Sequence, residues 1–337
     1  MTNLSGPIVS VVICTRNRRE NPVKTVVSVL RCSDADTEVL LIDQSDGQET
    51  YRAIQPLLAA HPRIRYFPLA VPGKPVALNM ALELAKGSVL LLTDDDCEPQ
   101  PGWIEGMLSG FANEKTGCIF GPVDPAPHNK KLGYIVSHAV HRSTTAASLR
   151  DVRRIPGRTT VGIGANLAIR HSALKSVDGW DPCIGPGTKF RSGDDFDVAT
   201  RLSLAGYAIG FCVEGRVTHY GFRRWSERFE DTRRGGFGRG AAFGKYLRCG
   251  IIHDDSLAVL RLYAEQFMKH PWLGIRRPLY FGTSFMAGFV QAMRHPVDRK
   301  TYQFHPVSDV EKHKYGHHFA NVVLRSEFET GQDESRR

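Results

Sequence analysis

The sequence predicts an α/β protein in which helices flank a mostly parallel, Rossmann-like sheet. Short apolar runs alternate with stretches of helical spacing over residues 1–123, and strands separated by helices form parallel sheets. In addition, Val89–Leu92 is apolar at every position, as expected for a strand that is buried on both faces. We therefore expect ligands to bind beyond the carboxyl ends of the strands.

Strands and helices alternate in the N-terminal part. The expected strands are Ile8–Cys14, Val39–Asp43, Ile64–Phe67, Val89–Thr93 and Gly117–Val123. The expected helices are Pro22–Arg31, Thr50–Ala60, Pro75–Lys86 and Trp103–Phe111. Gly87 follows the third helix, where glycine is favoured because it adopts the left-handed conformation without strain. Asp43 and the acids after residue 93 should face one cleft, because both lie at carboxyl ends of strands.

The C-terminal part is less regular, and residues 124–160 form a loose stretch. The expected elements after it are a strand at Val161–Ile169, a helix over 193–205, and strands at Tyr207–Val213 and Arg216–Tyr220. Residues 223–248 are rich in Arg and Gly, and residues 255–293 have the spacing of two amphipathic helices broken near Pro271 and Pro278. We expect a main domain over residues 1–250, a helical extension over 251–325, and a polar, disordered tail over 326–337.

The 337-residue chain carries a formal net charge of +9, and the basic excess lies after residue 130. Such an excess favours anionic partners, whether phosphorylated substrates, nucleic acid or a lipid surface. The seven cysteines include no Cys-x-x-Cys pair, which indicates reduced thiols and argues against disulfides or a structural zinc site. The N-terminus is polar, and no apolar stretch is long enough to span a bilayer. We therefore expect a cytoplasmic protein.

Three carboxylates, Asp94, Asp95 and Asp96, stand at the end of the apolar strand. Residues two apart in an extended chain point the same way, so Asp94 and Asp96 should share one side and Asp95 should face the other. Carboxylates at this spacing repel one another unless a cation lies between them. Hard oxygen ligands suit Mg²⁺ or Mn²⁺, which usually bridge to substrate phosphates. The alternative is a solvated acidic turn.

Two further strand ends carry polar residues. Backbone N–H groups of the loop at residues 14–18, together with Arg16 or Arg18, could hold a nucleotide; the alternative is a polar loop in which Asn17 or Asn21 caps a helix. Asp43 could accept hydrogen bonds from a base or a ribose, and the alternative is an ordinary turn.

Gly193-Asp194-Asp195 opens a helix, with Asp194 placed as its N-cap. Capping needs one carboxylate, so Asp195 is the acid that lacks a structural explanation. An ionised Asp195 facing the cleft could act as a general base on a hydroxyl. His219 follows the last strand and either packs in the structure or completes a metal site.

Taken together, these motifs resemble those of the family 2 glycosyltransferases, which have a GT-A fold, over roughly residues 7–250. The similar segments are residues 10–18, 41–45, 93–103, 164–168, 179–181, 193–198 and His219. One segment departs from the family pattern. Where many relatives read Ala-Arg-Asn-x-Gly, this chain has Ala-Leu-Asn-Met-Ala at residues 77–81, so Lys74 would supply the missing charge.

The resemblance implies a metal-dependent enzyme that moves a sugar from a nucleotide-diphosphate donor to an acceptor hydroxyl, with inversion, in polysaccharide or glycolipid synthesis. It implies that Asp195 is the catalytic base. The implied donor-binding residues are Thr15, Arg16, Arg18, Asp43, Lys74, Asn79, Asp94, Asp95, Arg223 and Arg224. The implied metal ligands, for Mg²⁺ or Mn²⁺, are Asp94, Asp96 and His219, and the implied acceptor-side residues are Asn166, Trp180 and Asp194.

The acceptor is expected to be a glycan or a lipid-linked molecule, and in the second case the enzyme would rest on the cytoplasmic face of a membrane. Two rival classes stay open at this point. A metal-dependent nucleotidyltransferase would share the sheet and the acids, but it usually has a Gly-rich phosphate loop, and residues 15–20 contain no glycine. A basic nucleic-acid-binding protein would explain the net charge but not acids in a cleft, where they repel phosphate. We therefore expect no nucleic acid partner.

Overall fold

The computed structural model describes residues 9–34, 36–152, 154–155, 161–251 and 276–305. The strands are β1 Val9–Thr15, β2 Thr37–Asp43, β3 Ile64–Pro68, β4 Val89–Asp94, β5 Cys97–Pro99, β6 Thr116–Phe120, β7 Val123–Pro125, β8 Gly133–Ile135, β9 Thr144–Ala146, β10 Asn166–Arg170, β11 Ala208–Phe211, β12 Val217–His219, β13 Phe222–Arg224, β14 Val297–Asp298 and β15 Gln303–Phe304. The helices are α1 Asn21–Arg31, α2 Glu49–Ala60, α3 Lys74–Leu84, α4 Trp103–Ser109, α5 Leu149–Val152, α6 His171–Ser176, α7 Asp194–Leu204, α8 Arg228–Arg248 and α9 Arg276–Arg294.

The central sheet has eight strands in the order β3-β2-β1-β4-β10-β6-β11-β9. The first four are parallel, and β10 runs antiparallel to both of its neighbours, β4 and β6. Side chains alternate between two apolar clusters, with Leu92 in one and Leu91 in the other. The predicted α/β fold with a mostly parallel sheet flanked by helices is therefore confirmed.

The pairing register brings the polar strand ends together. Cys14 of β1 lies beside Asp94 of β4, and Thr15 lies beside Asp43 of β2. On the other side, β12 pairs antiparallel with β5, so that His219 stands opposite Cys97. The loops after three parallel strands and the end of β12 thus meet at one edge of the sheet.

Several sequence predictions differ from the structure. Residues 124–160 hold short strands and α5 rather than only a loose stretch, and the strand predicted from residue 161 begins at Asn166. The described part of α9 begins at Arg276 and includes Pro278 as its third residue; residues 252–275 lie outside the described residues, so the predicted break near Pro271 and Pro278 stays a prediction. The first of the two amphipathic helices lies almost wholly outside the described residues, and the tail at 326–337 lies wholly outside them. The predicted domain boundaries stay predictions.

Glycines allow α8 and α9 to pack closely. Gly236, Gly240 and Gly244 recur at every fourth position of α8. A Cβ at Gly240 would collide with the carbonyl oxygen of Phe285, and one at Gly236 would lie 2.8 Å from the carbonyl oxygen of Phe281. Small residues at this spacing let two helix backbones approach each other. Within the described residues, no helix combines the length and the apolar character needed to cross a bilayer.

Candidate active site

The three acids after β4 face three different partners. The ammonium group of Lys74, the first residue of α3, pairs with Asp94. Asp95 is buried, accepts a 2.6 Å hydrogen bond from the Thr15 hydroxyl, and lies 3.5 Å from the guanidinium of Arg18. Burial raises the pKa of Asp95 to about 6, although Thr15 and Arg18 counteract this effect. Asp95 therefore anchors the loop after β1 to the end of β4.

Asp96 lies beside His219 and Arg18. The Asp96 Oδ1 atom is 3.2 Å from His219 Nε2, and its Oδ2 atom accepts a 3.2 Å hydrogen bond from Arg18. His219 Nδ1 lies 2.7 Å from the carbonyl oxygen of Val136. Because a carbonyl can only accept, Nδ1 carries a proton, and Nε2 is the ring atom that faces Asp96. Burial alone would raise the pKa of Asp96, but His219 and Arg18 hold it below its usual value.

The donor set at this point fits a divalent cation. Within the part of the chain that the structure describes, Asp96, Cys97 and His219 form the group of potential ligands whose donor atoms all lie within 4.8 Å of one another. A metal-binding histidine commonly donates its second N–H to a carbonyl, as His219 does. Burial raises the pKa of the Cys97 thiol, which disfavours the thiolate. Asp94 is not in this group and pairs with Lys74; its predicted role as a metal ligand together with Asp96 stays a prediction.

Asp195 stands at the start of α7, where its carboxylate accepts two backbone hydrogen bonds. The N–H of Phe196 donates to its Oδ1 at 2.7 Å, and the N–H of Gly164 donates to its Oδ2 at 3.1 Å. The predicted N-cap is wrong by one residue. Gly193, with a φ of 100°, is the N-cap, and Asp194 is the first helical residue. A left-handed backbone at this corner favours glycine over residues that have a Cβ.

Lys74 joins the two acidic clusters. A Cβ built on Gly164 would lie 3.7 Å from the Lys74 ammonium and 3.8 Å from the Asp195 Cβ. Burial alone would lower the pKa of Lys74, but Asp94 and Asp194 hold it above its usual value. Burial and the Asp195 charge raise the pKa of Asp194 to about 7, and burial raises that of Asp195. The acids at the end of β4 and those opening α7 therefore lie close to one another, on either side of the Lys74 ammonium.

The loop after β1 is tied to the turn after β2. The Arg16 guanidinium lies 3.4 Å from the Asp46 carboxylate, and the Asn17 side chain exchanges hydrogen bonds with Asp46 at 2.8 and 2.9 Å. Asn17 has a φ of 57°, a conformation that Asn tolerates better than most residues. Arg16 is exposed, and its predicted contact with a donor stays a prediction.

Asp43 is buried and already accepts hydrogen bonds on both of its oxygens. The Ser45 N–H donates to Oδ1 at 2.9 Å, and the Tyr66 hydroxyl donates to Oδ2 at 2.7 Å. The turn explanation of Asp43 therefore fits the structure, and its contact with a nucleobase stays a prediction.

Three of the predicted substrate residues make contacts inside the protein. Asn166 is fully buried, and its amide bonds the Trp103 indole and two carbonyl groups. Asn79 is partly buried and exchanges hydrogen bonds of 2.7 and 2.9 Å with the backbone of Trp180, whose side chain is 1% exposed. The predicted contacts of these residues with donor or acceptor stay predictions.

The two arginines after His219 lie on β13. Arg223 pairs with Asp231 of α8 at 2.5 Å, whereas Arg224 is exposed and its N–H donates to Glu227 at 2.7 Å. Arg223 is thus held against α8, and any contact of these two arginines with phosphate stays a prediction.

Comparison with known proteins identifies the chain. Residues 10–178 match the family model described as glycosyl transferase family 2. The chain belongs to this family. The predicted family is thereby confirmed, and with it the assignment of the protein to the transferases. The match covers β1 to α6, which includes the acids after β4 but not Asp195.

Curated and solved relatives of this family 2 protein agree with the assignment. It is 30% identical over 115 residues to the chondroitin synthase of Escherichia coli, which covers 34% of this chain and 17% of that protein. It is 24% identical over 209 residues to the glycosyltransferase AglE of Haloferax volcanii, which covers 61% of this chain and 64% of AglE. The chain thus spans less than two thirds of the length of these relatives.

A solved structure supports the GT-A fold. The mannosyltransferase PcManGT from Pyrobaculum calidifontis, in complex with GDP-Man and Mn²⁺, matches with a TM-score of 0.57 and 16% identity, over 97% of this chain and 81% of that chain. At this identity the likeness shows the fold alone.

The family 2 protein also contains a buried ion network that sequence reasoning does not find. Lys245 of α8 lies 2.8 Å from Asp181 and 2.5 Å from Asp197, and Arg201 lies 3.0 Å from Asp197. The Tyr246 hydroxyl donates a further 2.8 Å hydrogen bond to Asp197. The spacing of Asp197 and Arg201 could have indicated a pair on one helix, but nothing in the sequence pairs them with Lys245.

Proposed function

We propose that this protein transfers a sugar from a nucleotide-diphosphate sugar to a hydroxyl group of a glycan or lipid-linked acceptor, with inversion at the anomeric carbon. The observation that carries the proposal is Lys74, which joins Asp94 on one wall to Asp194 and Asp195 on the other. In this proposal, Lys74 and a metal held by Asp96 would face the diphosphate, and the Asp195 carboxylate would face the acceptor hydroxyl. Family membership supports the same reaction class.

On the donor side, Asp96 and His219 would hold a divalent cation, Mg²⁺ or Mn²⁺. Such an ion supplies charge neutralisation for a departing diphosphate. The presence of Mn²⁺ with GDP-Man in PcManGT supports this choice. Arg18 and Lys74, which pair with Asp96 and Asp94 in the absence of donor, would turn toward the phosphate oxygens, because carboxylates and phosphates compete for the same donors.

On the acceptor side, Asp195 would remove the hydroxyl proton as the oxygen attacks. Its two backbone hydrogen bonds fix the carboxylate, and Gly164 leaves space beside it. Because the acceptor attacks from the side opposite the leaving group, one displacement inverts the anomeric carbon. A positioned base of this kind typically contributes a factor of about 10²–10⁴ to the rate.

The surface of α9 supports a peripheral contact with the cytoplasmic face of a membrane, in line with a lipid-linked acceptor. The exposed apolar side chains of α9 include Leu279, Met286, Val290 and Met293, which recur at helical spacing on one side. The net charge of +9 favours an anionic lipid surface. Polysaccharide or glycolipid synthesis would use such a location.

The deciding experiment combines thermal unfolding with a donor panel. We expect a nucleoside diphosphate to raise the unfolding temperature only when Mn²⁺ or Mg²⁺ is present. We also expect one nucleotide-sugar of the panel to be cleaved faster when a membrane extract supplies the acceptor. Stabilisation by an oligonucleotide without metal would overturn the proposal in favour of a nucleic-acid-binding protein. Release of pyrophosphate from a nucleoside triphosphate would overturn it in favour of a nucleotidyltransferase.

A further inference from the structure

The buried ion network connects three segments that are far apart in the chain. Asp197 lies in the first turn of α7, two residues after Asp195, and Asp181 follows the buried Trp180. Lys245 belongs to α8 and touches both carboxylates. The side chains of this lysine and both acids are 0–1% exposed. Their ionic contacts are therefore not weakened by solvent as surface pairs are.

The loop that holds Asp181 is fixed to the donor side as well. The backbone of Trp180 exchanges two hydrogen bonds with Asn79 of α3, and α3 begins with Lys74, the partner of Asp94. A continuous path of contacts thus runs from the donor wall through α3, the 180–181 loop and Lys245 to the start of α7. Lys245 is the point at which this path crosses to the helix that carries Asp195.

We propose that Lys245 is a positioning residue that sets the place of Asp195 relative to the donor wall by tying Asp197 to Asp181. This inference rests on the proposed function, in which Asp195 is the catalytic residue. Lys245 touches no substrate and acts through α7. Two charges of each sign meet in the network, with Arg201 as the second cation. Removing the Lys245 ammonium would leave Asp197 paired with Arg201 and would take from Asp181 its 2.8 Å ionic contact.

Backbone amide exchange tests this idea without any substrate. The N–H groups of Gly164 and Phe196 both donate to Asp195, so their exchange rates report whether that carboxylate is in place. In Lys245→Met, we expect these two amides to lose protection while the amides of β1 and β4 keep theirs. Unchanged protection at residues 164 and 196 would overturn the proposal.

Kinetics provide the second readout. A 1 Å displacement of a reacting group can lower a rate by about 100-fold, so we expect kcat of Lys245→Met to fall by about 10- to 100-fold while the donor KM stays within about twofold. A wild-type kcat in the folded variant would overturn the proposal. If the wild-type protein itself transfers no sugar, the proposed function fails, and the exchange measurement still decides the role of Lys245.

A second variant and a control complete the design. Asp181→Asn keeps the shape of the side chain and leaves the contact of Lys245 with Asp197. This variant replaces Lys245→Met if Lys245→Met does not fold. We expect the same two amides to lose protection and kcat to fall, both by less than in Lys245→Met. Arg65→Met is the matched control. It removes the 2.7 Å pair with Glu38 at the amino end of β2, at the opposite edge of the sheet from the cleft. If this control lowers kcat and exposes the same two amides as Lys245→Met does, the role is merely structural.

Discussion

On the donor side of the cleft, Asp94 and Asp96 are paired with Lys74 and Arg18, whose side chains are 21% and 49% exposed. On the acceptor side, α7 is held by Lys245, which is 0% exposed. Cations that solvent reaches can change partners when a phosphate arrives, whereas a fully buried pair stays in place. Under the proposed function, we therefore expect the donor wall to rearrange on binding and the acceptor wall to stay fixed.

The most severe test of the fixed wall is Asp195→Asn. Because the amide cannot accept the hydroxyl proton, the transfer rate should fall by about 10²–10⁴-fold, while metal-dependent binding of a nucleoside diphosphate stays the same. Initial rates and calorimetric titration check the two statements. A variant that transfers sugar at near wild-type rate would remove Asp195 from the role of base.

The adjustable wall is tested by Asp96→Ala. Loss of a direct metal ligand should weaken metal-dependent nucleotide binding by more than about 100-fold, as measured by titration with Mn²⁺ present. Asp151→Ala removes an acid of the short helix α5 and should leave metal and nucleotide binding unchanged. If Asp96→Ala binds Mn²⁺ and nucleotide as tightly as the wild type, the metal site lies elsewhere.

Two glycines of α8 test how rigid the support of the acceptor wall is. Gly240→Ala would bring a methyl group into the carbonyl of Phe285, and such overpacking costs about 1–3 kcal/mol of unfolding free energy. Gly235, in the same helix, has open space around it. Gly235→Ala should therefore stabilise the protein by about 0.4–1 kcal/mol. Urea unfolding of both variants measures the difference, and equal stabilities would argue against close packing of α8 and α9.

The smallest expected effect is a shift in the pH dependence of the transfer rate. The raised pKa values mean that the acids opening α7 take up protons at a higher pH than ordinary aspartates, with Asp194 at about 7. Since Asp195 must be ionised to act as the base and burial raises its pKa, the rate should fall at a higher pH than the value of about 4 that is usual for an aspartate. Asp194→Asn removes the neighbouring negative charge and should move the fall to lower pH. A fall near pH 4 in the wild type would contradict the buried pair.

Sequence reasoning finds the sheet and the acids because each depends on neighbours in the chain. The apolar run before Asp94 and the glycine before Asp194 are local patterns, and they correctly place strand and helix ends. The same reasoning assigns no helix to the Gly-rich residues 223–248. Glycine disfavours an isolated helix, whereas the close packing of α8 against α9 needs its small size.

The roles of buried polar residues could not be predicted in this way. Asn79, Asn166 and Trp180 belong to segments that resemble substrate-binding segments, but the side chains of Asn166 and Trp180 are buried, and that of Asn79 is hydrogen-bonded to the backbone of Trp180. Their partners come from distant parts of the chain: Asn79 bonds a residue 101 positions away. Only the folded structure shows which side of the cleft wall such a residue occupies.

The ring and N–H of Phe304 have a practical consequence for shortened versions of the protein. The Phe304 N–H donates to Asp181 at 2.9 Å, and its ring lies 5.3 Å from the Lys245 ammonium. A truncated chain that stops at residue 250, the boundary suggested by the sequence, would admit water to these charges. Expression of the catalytic unit should therefore extend past residue 305, even though the family match ends at residue 178.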